Sequence, residues 1–130
     1  MKPSIFTMII RGDVPCHKVY EDDLVYAFMD IHPIQPGHVT VVSKKQVDHF
    51  EDLPEEDYTA LWAAVQKIAK KQKEVLKRNR VGIHVVGLHI PHAHVHVFPF
   101  DSMDDYRTVV DNSIEPDHKA LAEMAQKLAL

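Results

Sequence analysis

The hydrophobic and polar residues of this chain alternate most strictly between residues 91 and 100, where three histidines are separated by small or β-branched residues. The alternating residues are His92, Ala93, His94, Val95, His96 and Val97. Alternation of this kind predicts a strand with one polar and one buried face. Because residues two apart point the same way on a strand, about 6.6 Å apart at each step, the three histidines are expected to form a row on one face.

Shorter runs of the same pattern predict the other strands. They are residues 18–21, 24–29, 38–43 and 81–86. The first two runs flank the acidic turn Asp22-Asp23 and predict a hairpin. Residues 30–37 contain two prolines and a glycine, which exclude a regular element there. Residues 101–113 are expected to form a polar loop.

Apolar residues at helical spacing predict three helices. Residues 4–11 are mostly apolar and predict a short buried helix that ends at the turn beginning with Gly12. Pro54 lies in the first-turn position that proline tolerates and predicts the start of a long helix. Residues 116–130 predict a closing helix. The apolar stripes of the last two are Leu61, Val65, Ile68 and Leu76, and Leu121, Met124, Ala125 and Leu128.

The order of these elements predicts the fold class. A hairpin, a strand, a long helix, paired strands and a closing helix predict an α+β fold with a mainly antiparallel sheet, one long helix and a C-terminal helix. A chain of 130 residues has the usual length of one domain with one core. We therefore expect a single domain over residues 1–130, without internal repeats.

Composition narrows the class of protein. The net charge of −4 argues against a general nucleic-acid binder, which is normally basic. No apolar run approaches the roughly 18–20 residues of a membrane span, so no membrane partner is expected. The single cysteine, Cys16, excludes an intrachain disulfide and a cysteine-rich zinc module. A cytoplasmic protein is the resulting expectation.

The histidine row admits three interpretations. It could hold a metal, since imidazoles two residues apart can share one zinc, but the outer pair of the row is expected about 13 Å apart, so at most two could bind one ion. It could be structural, with its histidines hydrogen-bonded across a sheet or dimer contact. It could be catalytic, since a neutral imidazole can attack phosphorus and form a covalent intermediate that water hydrolyses. Neighbouring imidazoles would then stabilise charge on the phosphoryl oxygens.

Residues 92–98 resemble the H-φ-H-φ-H-φ-φ signature, with φ hydrophobic, of the histidine triad (HIT) family. Four upstream blocks resemble those of the family, in the family's order: residues 9–15, 19–23, 27–31 and 36–45. The resemblance covers about residues 5–100. It implies a HIT-like fold, commonly as a homodimer, and hydrolases or transferases that act on nucleoside phosphoramidates or dinucleotides.

By position, this resemblance also implies roles for single residues. It makes His94 the nucleophile, with His92 and His96 supporting the α-phosphate and orienting the nucleophile. His38 is implied as a hydrogen-bond partner behind the row, and Asp30 as the residue that holds the ribose hydroxyls. The implied base pocket is formed by Phe6, Phe28 and Ile31.

The loop before the triad departs from the family pattern. Many relatives have an asparagine and then a Gly-Gln element there, whereas residues 86–90 contain no asparagine and have Leu88 in place of glutamine. An amide that contacts phosphate is thus lost. His89 falls where relatives can carry a serine near the leaving group, and it is either a proton donor or a surface loop residue.

A second departure concerns zinc. Some bacterial relatives hold zinc with a C-x-x-C pair, a histidine after the Lys-Lys pair and a triad histidine. In this chain Ser4 and Thr7 occupy the cysteine positions and Gln46 the histidine position. Because three of four ligands are missing, we predict no structural zinc and no other cofactor.

These observations lead to two hypotheses. The first is a metal-independent nucleotide hydrolase or nucleotidyltransferase that forms a nucleotidyl-His94 intermediate, with a purine nucleotide or nucleoside phosphoramidate as its ligand. The second, based on Leu88 and the absent asparagine, is a nucleotide-binding module with weak or vestigial catalysis. The physiological substrate, the base preference and the leaving group do not follow from the sequence.

Overall fold

A five-stranded antiparallel sheet, in the order β1-β2-β3-β5-β4, forms the centre of the computed structural model, which describes residues 1–130. The strands are β1 (Lys18–Glu21), β2 (Val25–Met29), β3 (Val39–Ser43), β4 (Arg80–His84) and β5 (His94–Phe100). The helices are α1 (Ile5–Arg11), α2 (Glu55–Leu76), α3 (Met103–Tyr106) and α4 (His118–Leu128), and a 3₁₀ turn spans Phe50–Asp52. The predicted α+β fold class with its mainly antiparallel sheet is confirmed.

One face of the sheet is apolar and packs against the two long helices. Val41 of β3 and Val95 and Val97 of β5 lie on this face, and all three are fully buried. Leu61 and Ile68 of α2 and Leu128 of α4 belong to the same buried cluster. The period-two pattern of β5 therefore buries its apolar residues as predicted.

The opposite face carries the histidines, and it is covered only at its two ends. At one end Phe6 and Ile9 of α1 pack on Tyr26, Phe28 and Val42. At the other end Tyr106 of α3 contacts Phe98, with the ring centroids 5.4 Å apart. Between α1 and α3 the side chains of β5 line an open cavity instead of a core.

The irregular segment 30–37 is held against α2 by a buried side chain of that helix. Gln72, buried near the C-terminal end of α2, donates from Nε2 to the carbonyl oxygens of Gly37 at 2.8 Å and Val97 at 3.0 Å. Gly37 has φ +94°, and a Cβ there would collide with Cδ1 of Leu76. A glycine is therefore favoured at this position. The sequence of the segment and its packing on α2 together position Asp30, at the start of the segment, and His38, directly after it.

The expected polar loop over residues 101–113 is wrong in part, because it contains the short helix α3. Ser102 and Asp105 form a reciprocal capping box around its first turn. Arg78 holds the same turn from the end of α2, with nitrogen–oxygen distances of 2.7 Å to Asp101 and 3.0 Å to Asp105. A helix of four residues has no apolar periodicity, so the hydrophobic pattern gave no sign of it.

Several strand boundaries also differ from the prediction, and β2 and β3 each begin one residue later than expected. β4 covers residues 80–84 instead of 81–86, because its pairing with β5 ends at His84, opposite His96. β5 begins at His94, so His92 lies before the strand. The helices α1, α2 and α4 lie within two residues of their expected positions. None of the helices has the combination of length and apolar composition that a transmembrane span requires.

Candidate active site

The open part of the histidine face forms a cavity of about 570 Å³. His94 and His96 project into it from β5, and Asp30 and Thr40 line the same wall. α1 closes one side and the loop of residues 86–90 closes another. The cavity therefore combines the imidazole row with an apolar side wall.

The tautomer of His94 follows from its hydrogen bond. Its Nδ1 lies 2.6 Å from the carbonyl oxygen of His92. A carbonyl only accepts, so Nδ1 carries the proton and Nε2 keeps a free lone pair. Burial lowers the pKa of His94 further than its bond to His92 raises it, which favours the neutral ring. His94 thus presents an unprotonated nitrogen in a buried setting.

A second chain of hydrogen bonds fixes the tautomer of His96. The backbone N–H of Ile34 donates to Nδ1 of His38 at 3.0 Å, so the proton of His38 lies on Nε2. That nitrogen lies 3.0 Å from Nδ1 of His96 and donates to it. The proton of His96 is consequently on Nε2, where it is available as a donor. Burial, which outweighs the attraction of Asp30, lowers the pKa of His38 to about 4 and keeps this ring neutral.

Asp30 is the acidic group of the site. Its carboxylate accepts from the backbone N–H of His32 at 2.9 Å and from the hydroxyl of Thr40 at 3.1 Å. Burial alone would raise the pKa of Asp30, but its proximity to His96 and His38 and the N–H of His32 together lower it to about 2. The carboxylate is therefore ionised and retains lone pairs for a further donor.

His92 does not share the cavity with the other two triad histidines. Its fully buried ring lies between Ser4 and Ser43, with Nδ1 2.6 Å from the hydroxyl oxygen of Ser4 and Nε2 2.6 Å from the carbonyl oxygen of Ser43. Its contact with His94 is made through its backbone carbonyl. The row of three equivalent imidazoles expected from the alternation is thus a pair in the cavity and a third ring behind it, because the strand starts only at His94.

The three residues expected to form a base pocket lie at the apolar side of the cavity. Phe6 and Phe28 contact each other with their ring centroids 5.5 Å apart, and Phe6 lies 4.9 Å from the ring of His94. Ile31 lines the same cavity and is partly exposed. A flat ligand bound here would be adjacent to the unprotonated nitrogen of His94.

The loop before the triad contributes Leu88 and His89 to the cavity wall. Both side chains are exposed, Leu88 by 81%. No lysine or arginine lines the cavity. An anionic ligand would therefore be met by neutral N–H donors, chiefly Nε2 of His96, and not by a fixed positive charge.

Asp30, His38 and His96 each offer one atom to a common point, and these atoms lie within 4.8 Å of one another. The hydrogen bonds described above make this a poor metal site. The N–H of Ile34 occupies Nδ1 of His38 and leaves its proton on Nε2, the nitrogen that faces the other two residues. A metal ligand must be unprotonated, so this donor set fits a proton network better than an ion.

Two residues of the site were missed in the sequence. Thr40 holds Asp30, and the alternation of residues 38–43 could have placed it on the histidine face. Asn112 lines the cavity from the segment between α3 and α4 and supplies its only carboxamide. Nothing in the local pattern marks Asn112, because the path of this segment is set by α3 and its ion pairs with Arg78.

A scan against protein families matches the HIT domain over residues 11–103. Among known proteins, an uncharacterised HIT-like protein of Methanocaldococcus jannaschii is 38% identical over 73% of this chain and 77% of its own length. An adenosine 5′-monophosphoramidase of Schizosaccharomyces pombe is 32% identical over 73% of this chain and 72% of its own.

A similar fold has been solved crystallographically. A HIT-like protein involved in cell-cycle regulation from Bartonella henselae matches with a TM-score of 0.83 and 33% identity. The match covers 96% of this chain and 93% of that one. It therefore extends beyond the matched family domain to the C-terminal part of the chain.

Proposed function

This chain belongs to the HIT domain family, and we propose that it is a metal-independent nucleotide hydrolase or nucleotidyltransferase that works through a nucleotidyl-His94 intermediate. Its substrate would be a nucleoside phosphoramidate or a dinucleotide-type phosphate. The S. pombe relative, a phosphoramidase by name, supports the first of these classes.

The observation that carries this proposal is the hydrogen bond between Nδ1 of His94 and the carbonyl oxygen of His92, 2.6 Å long. It leaves the lone pair of Nε2 free and opposes rotation of the ring. Because the pKa of His94 is also lowered by burial, the attacking form persists to a lower pH than in an exposed histidine.

The first chemical step would transfer the nucleotidyl group to the enzyme. The lone pair of His94 Nε2 forms a bond to the α-phosphorus, and the bond from phosphorus to the leaving nitrogen or oxygen breaks with its electron pair. The leaving group takes a proton, for which His89 at the cavity wall is a candidate donor. Nε2–H of His96 would donate to a phosphoryl oxygen and stabilise its developing charge.

The second step would release the nucleotide. Water attacks phosphorus, the phosphorus–nitrogen bond to His94 breaks, and the electron pair returns to Nε2. The products are a nucleoside monophosphate and the neutral imidazole, with the proton of water passing to solvent. In a transferase another nucleophile would replace water.

The remaining side chains favour a nucleoside over a simple phosphate. The ionised carboxylate of Asp30 can accept from ribose hydroxyls. Phe6 and Phe28 offer aromatic surface for a base, without hydrogen-bonding groups that would select one base. A purine has the larger stacking surface, so we propose a purine nucleotide as ligand.

One feature favours the second hypothesis, a nucleotide-binding module with weak catalysis. Leu88 points into solvent where a phosphate-binding amide is expected, and no cation lines the cavity. Such a protein would bind the nucleotide through Asp30 and the aromatic wall and would turn it over slowly.

A homodimer is part of the proposal. β4 has β5 on one side and no strand on the other, whereas Leu130 donates to the backbone of Val19 in the opposite edge strand. Ile83 of β4 is 40% exposed. An open, partly apolar edge is suited to pairing with a second copy. A cytoplasmic location also remains a proposal, in keeping with the single unpaired Cys16.

Intact-mass spectrometry after brief mixing with an adenosine phosphoramidate tests the mechanism. The quench must preserve phosphorus–nitrogen bonds. An added nucleotidyl mass that maps to His94 is the expected result. An adduct on another residue would contradict the assignment, and binding without adduct or product would favour the binding module.

A further inference from the structure

Four side chains behind the cavity form a hydrogen-bonded group, which we call the Ser4 cluster: Ser4, Thr7, Gln46 and His92. The amide oxygen of Gln46 accepts from the backbone N–H of Ser4 at 2.9 Å and from the hydroxyl of Thr7 at 2.7 Å. The hydroxyl of Ser4 accepts from the N–H of Thr7 at 3.1 Å as the N-cap of α1. These bonds leave the proton of the serine hydroxyl for His92.

The tautomer of His92 requires a hydrogen bond from the hydroxyl of Ser4. Nε2 of His92 lies 2.6 Å from the carbonyl oxygen of Ser43, which can only accept, so Nε2 carries the hydrogen. Nδ1 is then a buried acceptor, and the hydroxyl of Ser4 lies 2.6 Å from it. Both nitrogens of a ring with no exposed surface are thus satisfied.

The cluster occupies the positions that correspond to the zinc ligands of some HIT relatives, but its atoms do not fit zinc. Ser4, Thr7 and Gln46 offer neutral oxygens where zinc requires thiolate, imidazole or carboxylate ligands. Both nitrogens of His92 already have partners. The hydrogen-bond network therefore takes the place of a metal at this point of the fold.

We propose that Ser4 is a positioning residue for the nucleophile: its hydroxyl fixes the ring of His92 and thereby the carbonyl that holds Nδ1–H of His94. The expected effect of Ser4 on turnover rests on the proposed function. Its expected effect on the tautomer of His94 is independent of that function. Without the hydroxyl, the nearest donor left to Nδ1 of His92 would be the hydroxyl of Thr7, which is 3.4 Å away and already donates to Gln46 at 2.7 Å. The ring would reorient, and the 2.6 Å contact between the His92 carbonyl and His94 would loosen.

The same cluster joins the nucleophile to the wall of the base pocket. Ser4 caps α1, and the next residue but one, Phe6, contacts the rings of His92 at 5.7 Å and His94 at 4.9 Å. A change at Ser4 would therefore affect the orientation of His94 more than it affects the rest of the sheet.

The test compares Ser4→Ala with Ser4→Thr, which keeps a hydroxyl, and with Ser102→Ala, which removes the matching serine N-cap of α3 outside the cavity lining. Histidine ¹⁵N chemical shifts report the tautomer of His94 without substrate. Hydrolysis of an adenosine phosphoramidate gives kcat and KM. Ser4→Ala is expected to mix the tautomers and to lower kcat roughly 10- to 100-fold, the scale of a small misplacement of a reacting group, with KM within about threefold.

Ser4→Thr should restore most of the kcat and the single tautomer, and Ser102→Ala should change neither. An unchanged tautomer in Ser4→Ala, or equal losses of kcat in Ser4→Ala and Ser102→Ala, would overturn the proposal. If Ser4→Ala does not fold, Gln46→Ala replaces it. This change removes the acceptor of the Ser4 N–H and of the Thr7 hydroxyl but keeps the hydroxyl of Ser4. Gln46→Ala is expected to mix the tautomers to a smaller degree, and no change would overturn the proposal.

Measurement of bound zinc is a separate part of the test. The purified protein is expected to contain no stoichiometric zinc, and EDTA should leave its unfolding temperature and His94 tautomer unchanged. Bound zinc that is lost in His92→Ala would overturn the assignment of the cluster. If wild type does not hydrolyse the phosphoramidate but Ser4→Ala still alters the tautomer, the proposed function fails and the positioning role stands.

Discussion

The carbonyl oxygen of His92 lies 2.6 Å from Nδ1 of His94, so a residue outside β5 determines which nitrogen of the first strand histidine is free. Two histidines that look equivalent in the sequence consequently differ. His94 exposes a lone pair, whereas His96, which accepts from His38 at 3.0 Å, exposes a proton. One can attack phosphorus while the other donates to its oxygens.

Replacement of the proposed nucleophile should separate binding from catalysis. We expect His94→Ala to lower kcat for an adenosine phosphoramidate by at least about 10³-fold, as for other nucleophile deletions, while nucleotide affinity measured by calorimetry stays within a few-fold. His49→Ala, at an exposed histidine outside the cavity, is the control. Substantial turnover by His94→Ala would exclude the covalent mechanism.

Asp30 should recognise ribose. A hydrogen bond to a charged group contributes about 1.5–3 kcal/mol, so a 2′-deoxy substrate is expected to lose about 10- to 100-fold in kcat/KM with wild type. With Asp30→Asn the two substrates should differ much less. Kinetics of both proteins with both substrates form a double-mutant cycle, and equal losses in the two proteins would show that Asp30 does not contact the 2′-hydroxyl.

Buried His38 should make the stability depend on pH. Its pKa is lowered by burial from 6.5 to about 4, so between these values the unfolded chain binds a proton that the folded chain does not. Stability is then complete above about pH 6.5 and falls as the pH falls toward 4, by about 3 kcal/mol from this residue since one pKa unit is about 1.4 kcal/mol.

Urea unfolding at several pH values measures this dependence. His38→Gln, which cannot titrate, should flatten the decline between pH 6.5 and 4 even though it is less stable throughout. A decline as steep as that of wild type would mean that other groups, such as buried His92 and His94, produce it.

Asn112 should affect ligand binding more than chemistry. This residue lines the cavity from a segment that follows the matched family domain. Loss of one neutral hydrogen bond costs about 1 kcal/mol, so Asn112→Ala is expected to raise KM roughly fivefold with little change in kcat. Val109→Ala, at a 93% exposed residue of the same segment, should change neither. Equal effects in both variants would point to the segment as a whole.

The free edge of β4 predicts the assembly. Light scattering should give twice the mass of one chain for wild type and for Val109→Lys, a control that adds the same charge at an exposed apolar residue outside the strands. Ile83→Lys places a lysine on the open edge and is expected to give monomers. A dimer that persists in Ile83→Lys would place the interface elsewhere.

Much of the fold was predictable because its information is local. The alternation of residues 92–97 gave the faces of β5, and apolar spacing gave α2 and α4 within two residues. The helix α3 was not predictable, since four residues contain no period and its first turn is held by Arg78, 23 and 27 positions away from Asp101 and Asp105.

The family, the α+β fold class and the identity of the histidines could be predicted from the amino-acid sequence, because a signature and a periodicity are properties of neighbouring residues. Which of the histidines face the cavity, and which nitrogen of each is protonated, could be seen only in the folded chain. Those properties depend on partners distant in sequence, such as Ser4 for His92 and His38 for His96. A hydrogen-bond partner is set by the packing of separate elements, and no local pattern encodes it.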